Sequence, residues 1–182
     1  MLPPVTRLRF TNTVASGALL GQWTHEPFAP QSEHKGIRID VKVPLQKLPT
    51  IDELRERWKD VDEGVRETRI NRAMKLRVGY VIDGAATHPV WIWMWGDAVI
   101  VGQPGEAYSQ FQMELRRRHP DRVIFVLNCT NGPGYMYVPT TEAYKRLRYQ
   151  SCQTLLAAGA RELILETIDK AIATLPSVVR NL

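Results

Sequence analysis

The chain has 182 residues, 44% of them hydrophobic, with two cysteines and a formal charge of +5. That length and apolar content suffice for one real core in a single domain, while two cysteines are too few for a disulfide scaffold or a cysteine zinc knot. The 24 basic residues are spread from Arg7 to Arg180 among 19 acidic ones, which reads as solvated surface and argues against a nucleic-acid partner; no stretch approaches the roughly eighteen apolar residues of a membrane span.

The N-terminal MLPPVTRLRF lacks the apolar run of a signal peptide. Residues 1–36 read as an irregular segment, because TNTVASGALLGQWTHEPFAPQSEHKG has no strong period; such a stretch is a long functional loop or a piece that packs on something absent. A strand-and-helix core is expected over residues 37–175. From Ile37 to Val43 apolar and polar residues alternate, as in a half-buried strand. From Ile51 to Val78 apolar residues fall at helical intervals (Leu54, Trp58, Val61, Val65), which predicts one long or two short amphipathic helices with Trp58 as a core anchor.

HPVWIWMWGDAVIVGQPG predicts two strands, Val90–Trp95 and Ala98–Val101, joined at Gly96-Asp97, with Trp91, Trp93 and Trp95 on one face; a packed aromatic face is the expectation, a stacking platform the alternative. EAYSQFQMELRRRHP then reads as a helix that stops before Pro120. RVIFVLNC is a continuous apolar run, the mark of a strand buried on both faces. A proline- and glycine-rich turn follows, then a short helix from Thr141 to Leu147 and a long one from Ser151 to Thr174. The succession predicts an α/β fold, a mixed or mostly parallel sheet flanked by helices, with ligands at the carboxyl ends of its strands.

Two turns at such ends, after Val101 and after Cys129, are crowded with more than turn residues. If their strands are parallel neighbours, Glu106 and the tyrosines Tyr137 and Tyr149 converge on one edge of the sheet. Glu106 in a first helical turn would also serve as a cap, favoured by the helix dipole. Buried phenols need a polar partner or a wet edge, so two of them near a carboxylate suggest a polar site. Standard motifs are absent. GQPGE lacks the spacing and the lysine of a P-loop, there is no GxGxxG and no GxSxG, and His25, His34, His88 and His119 form no HExxH. Cys129 and Cys152 either pair or stay free.

The PGE at a strand end before a helix containing MELRRR, then a buried strand, then GYMYVPTTEAYKRLRYQS, resembles the neutral/alkaline, non-lysosomal ceramidase family. Its members carry a GE before a helix that ends in paired arginines. They also carry an asparagine-bearing turn leading to a GYV(T/P)T..EEY....YEG stretch, with the Tyr137-to-Tyr149 spacing seen here. The likeness is best over residues 91–154 and fades back to KVPLQKLPT. It departs at Gln150, where the family has glutamate, and by one extra residue between Asn131 and Tyr137.

This resemblance implies a partial domain of a larger hydrolytic α/β domain: the C-terminal portion of a zinc-dependent amidohydrolase that cleaves an N-acyl amide, as in ceramide. Glu106 and Tyr137 would be zinc ligands and Tyr149 would hydrogen-bond the substrate's amide carbonyl. The family's two zinc-binding histidines lie far upstream, in a portion this chain does not contain. A missing N-terminal segment would therefore complete the metal site, and the isolated chain would be inactive. The complete protein would be periplasmic or secreted. Two other readings stand beside it: a stand-alone α/β binding or interaction module that keeps the fold, and a small hydrolase with a site rebuilt around His25 or His88.

Overall fold

A computed structural model describes residues 6–15, 19–27, 33–78, 81–82, 85–131 and 136–176. The chain divides into two compact units, Met1–Glu33 and His34–Leu182.

The first unit corrects the expectation of an irregular segment. β1 (Thr6–Ala15) and β2 (Leu19–Pro27) pair antiparallel, with a register shift between Phe10 and Asn12. The extra residue in the ladder moves later side chains to the other face, which erases the period of two from the sequence. Phe10 and Trp23 face each other across the ladder with ring centroids 5.3 Å apart.

In the second unit, β3 (His34–Val43), β5 (Ala85–Trp95), β6 (Ala98–Gly102) and β8 (Val123–Leu127) lie in the order β3-β5-β6-β8, and the short β4 (Val81–Ile82) also pairs with β5. β5 is antiparallel to β3, β4 and β6, whereas β6 and β8 are parallel. The fold is α/β with a mixed sheet and flanking helices. Gly96, at φ 59, makes the tight β5–β6 turn that a side chain would resist. The parallel pair needs a crossover, supplied by α3 (Ser109–Arg118).

The stretch from Ile51 to Val78 is two helices, α1 (Ile51–Arg57) and α2 (Glu63–Arg77). Each has its own start signal. Thr50 and Glu53 form a reciprocal capping box on α1, and the Asp62 carboxylate accepts from the Val65 amide at α2.

Further along, β7 (Glu106–Ala107) and β9 (Tyr137–Val138) form a two-residue parallel ladder, followed by α4 (Thr141–Lys145), α5 (Tyr149–Gln153) and α6 (Ala160–Ala173). The long helix expected from Ser151 to Thr174 is therefore broken. Leu156 bridges to Leu45, and Gly159 at φ 94 caps α6 in a left-handed conformation that other residues rarely take.

The core lies on one face of the sheet. Val41, Val43, Val90, Ile92, Met94, Val99, Val101 and Ile124 pack with Phe111 and Leu115 of α3 and Ile164, Leu165, Ile168 and Ile172 of α6. Each fully buried Leu, Ile or Phe contributes about 1.5–3 kcal/mol against exposure.

The opposite face is another matter. The register brings Trp93, Ile100 and Phe125 side by side, flanked by Trp91 and Leu127 on one side and Trp95 and Val123 on the other. Trp95 is 70% exposed and Phe125 45%. β8 is thus not buried on both faces, as its apolar run suggested, and the tryptophan face is packed only in part: Trp91 and Trp93 are half-buried, the Trp93 ring lying against Gly36 and Gly102, while Trp95 is exposed. The run misleads because β8 is an edge strand whose outward side chains are apolar too. Its outer edge is closed by α3: Arg116 Nε donates to the Ile124 carbonyl and Gln112 Oε1 accepts from the Val126 amide.

Candidate functional site

The turn after β6 is built around one buried side chain. Gln103 Oε1 accepts from the Gly105 amide at 2.8 Å and lies 3.1 Å from His88 Nε2, while its Nε2 donates to the Gly105 carbonyl and to Asn128 Oδ1, each at 2.6 Å. Asn128, at the end of β8, donates in turn to the Ala107 carbonyl. One amide thereby ties the ends of both parallel strands together and satisfies both backbone groups of Gly105.

Gly105 is required where it stands. A Cβ there would lie 2.6 Å from Val138 Cγ2 and 2.7 Å from the Met136 carbonyl oxygen. That close approach lets the Glu106 amide donate to the Met136 carbonyl at 2.8 Å, and it sets Glu106 and Tyr137 directly opposite each other in the β7–β9 ladder. Thr154 Oγ1 donates to the Tyr137 carbonyl at 2.7 Å and fixes the other side of β9.

The third residue arrives from α5. Leu147, at φ 47, turns the chain between α4 and α5, and the side chain of Gln46 donates to the carbonyls of Ser151 and Thr154 and so holds α5 in place. The ring of Tyr149 then meets that of Tyr137 edge-on, with centroids 5.9 Å apart. Glu106, Tyr137 and Tyr149, three residues singled out in the sequence, are together in space. Glu106 is not a helix cap: it lies in β7, and Tyr108 occupies the N-cap position of α3.

All three line a cleft of about 850 Å³. Its remaining wall comes from the segment after β3 and from α1 and α2, and it includes Trp58, Arg57, Arg69, Arg72 and Arg77. Trp58 is half-buried and faces this space, with the Arg69 guanidinium 5.8 Å from its ring centroid, so it is not purely a core anchor. The sequence reading missed the arginines. For two of them the signal was the three-residue spacing of Arg69 and Arg72, which places them on one side of a helix, but an exposed helix face looks the same.

The electrostatics follow from this company. The Glu106 carboxylate pushes the Tyr137 phenol above its ordinary pKa, aided by desolvation, Tyr149 and Cys129 and opposed by Arg72. Behind the turn, burial holds the His88 imidazole down at about 4, so it is neutral at physiological pH. His88 has no exposed surface and is committed to Gln103, which removes it as a recruited metal ligand or base of the cleft. His25 lies on β2, in the other unit. Cys129 and Cys152 are both free and exposed, and Cys152 lines the cleft.

As a metal site, Glu106 and Tyr137 offer two adjacent oxygen donors, which suit zinc only alongside imidazole. No group of three or more His, Cys, Asp or Glu side chains able to hold a metal occurs among the described residues. Comparison with protein-family models, with curated proteins and with solved structures finds no match to this chain. Among the described residues no helix is long and apolar enough to cross a membrane.

Proposed function

We propose that this chain is the C-terminal portion of a ceramidase-like, zinc-dependent amidohydrolase and contributes half of its metal site. The observation that carries the reading is the pairing of Glu106 with Tyr137 in the β7–β9 ladder, with the Tyr149 ring against Tyr137, inside one large cleft. Glu106 and Tyr137 would hold the metal. Zinc, when bound, supplies Lewis acidity and activates water. Tyr149, with its phenol in the cleft, donates a hydrogen bond to the acyl carbonyl oxygen and stabilises the negative charge that develops there as the N-acyl bond is attacked. The two missing imidazoles come from a further segment of the complete protein.

Zinc titration by calorimetry at neutral pH, with Glu106→Gln and Tyr137→Phe alongside, tests the reading. Weak binding that disappears in both variants is expected, with no amide turnover. Binding indifferent to both substitutions would overturn it.

A further inference from the structure

The cation-rich part of the cleft has no task in hydrolysing a neutral amide. Lys47, Arg57, Arg69, Arg72 and Arg77 line the space against a single carboxylate, that of Glu106. Like charges gathered in one concavity repel, so an arrangement of this kind raises the affinity for anions. Among the described residues, Arg57, Arg69 and Arg77 have no carboxylate within 4 Å. Arg69 is braced on the face of Trp58, which leaves its N–H edge for a ligand. Arg72 lies close enough to the phenol of Tyr137 to lower its pKa, which places a cation beside the Glu106–Tyr137 pair.

The lining is also apolar. Leu48, Pro49 and Ala73, each partly exposed, share the cleft with the arginines, over the buried Leu54 and Leu155. A ligand that satisfies both characters carries a hydrocarbon chain and a negative group, and the Glu106–Tyr137–Tyr149 cluster lies within the same cleft. We propose that the cleft takes an N-acyl amide whose amine portion bears a carboxylate, an N-acyl amino acid, with the carboxylate on Arg69 and Arg72 and the acyl chain along the partly exposed Leu48, Pro49 and Ala73. The amide in this assignment rests on the amidohydrolase reading; the demand for an amphiphilic anion rests on the lining alone.

Three soluble probes with the same chain separate these elements in calorimetric titrations of the full chain: N-octanoylglycine, N-octanoylethanolamine and octanoate. Binding of N-octanoylglycine at least about ten-fold tighter than of the uncharged ethanolamide is expected, as for one charge-assisted contact, and the preference should shrink in high salt. Arg69→Gln with Arg72→Gln should abolish the preference, and the corresponding lysine pair should restore part of it. Equal binding of the glycine and ethanolamine amides would overturn the anionic inference and leave the amide reading intact. Octanoate binding as tightly as N-octanoylglycine would keep the anion site and overturn the amide. No binding of any probe would overturn both.

Discussion

The back and the front of the β7–β9 ladder are built on opposite terms. Behind it, Gln103 spends its whole amide on Gly105, Asn128 and His88, with no exposed surface. In front, Glu106 and Tyr149 are exposed, and the β7–β9 ladder and α5 hold their backbones in place. Rigidity has gone into the main chain and freedom into the side chains. That is how a ligand site is preorganised, and it contrasts with a surface turn whose side chains merely solvate.

The largest effect that would break this contrast is expected at Gln103. Gln103→Leu leaves the Gly105 amide and the Asn128 Oδ1 without their partner, while the Gly105 carbonyl keeps the Cys129 amide, and should cost about 2–3 kcal/mol in denaturant unfolding. A loss under about 1 kcal/mol would mean that the turn is held by the ladder alone.

Acid attacks the same network. The folded-state pKa of His88 lies below its ordinary value, from 6.5 to about 4, so the unfolded chain binds the extra proton first. Stability from this group is present above pH 6.5 and declines as pH falls toward 4, by about 3 kcal/mol in all. In His88→Leu that part of the pH dependence should vanish, since Gln103 keeps its bonds to Gly105 and Asn128.

Gly105→Ala should cost about 2 kcal/mol, by driving a methyl into Val138 and the Met136 carbonyl. It should also disturb the Tyr137 ring signals in NMR spectra. The smallest effects sharpen the comparison from the other side: Glu106→Gln and Tyr149→Phe should each change stability by less than about 0.5 kcal/mol. A drop of 2 kcal/mol or more in either would give the exposed side chain a structural duty instead.

Local pattern carried much of this into the sequence. The alternation of Ile37, Ile39, Val41 and Val43, the Gly96-Asp97 turn and the helical spacing around Leu54 each encode a nearest-neighbour constraint, and those elements formed as read. The elements that escaped depend on distant partners. β8 shows a continuous apolar run whether both faces are buried or only one, and nothing local reports that α6 waits for Gly159. In the site, the sequence brings Glu106, Tyr137 and Tyr149 to one edge of the sheet only on the condition that the two strands are parallel neighbours, which they are. Their meeting depends on Gln103 and Asn128, twenty-five positions apart and unremarkable in the chain. The arginines of α2 came into the cleft through the packing of the helices, which charge spacing alone does not specify.

The outer edge of β8 resists extension of the sheet. With Arg116 and Gln112 occupying the Ile124 carbonyl and the Val126 amide, a strand donated by another polypeptide finds the middle of that edge already claimed. A strand that lengthened the sheet beside β8 would first have to displace both side chains from the Ile124 carbonyl and the Val126 amide.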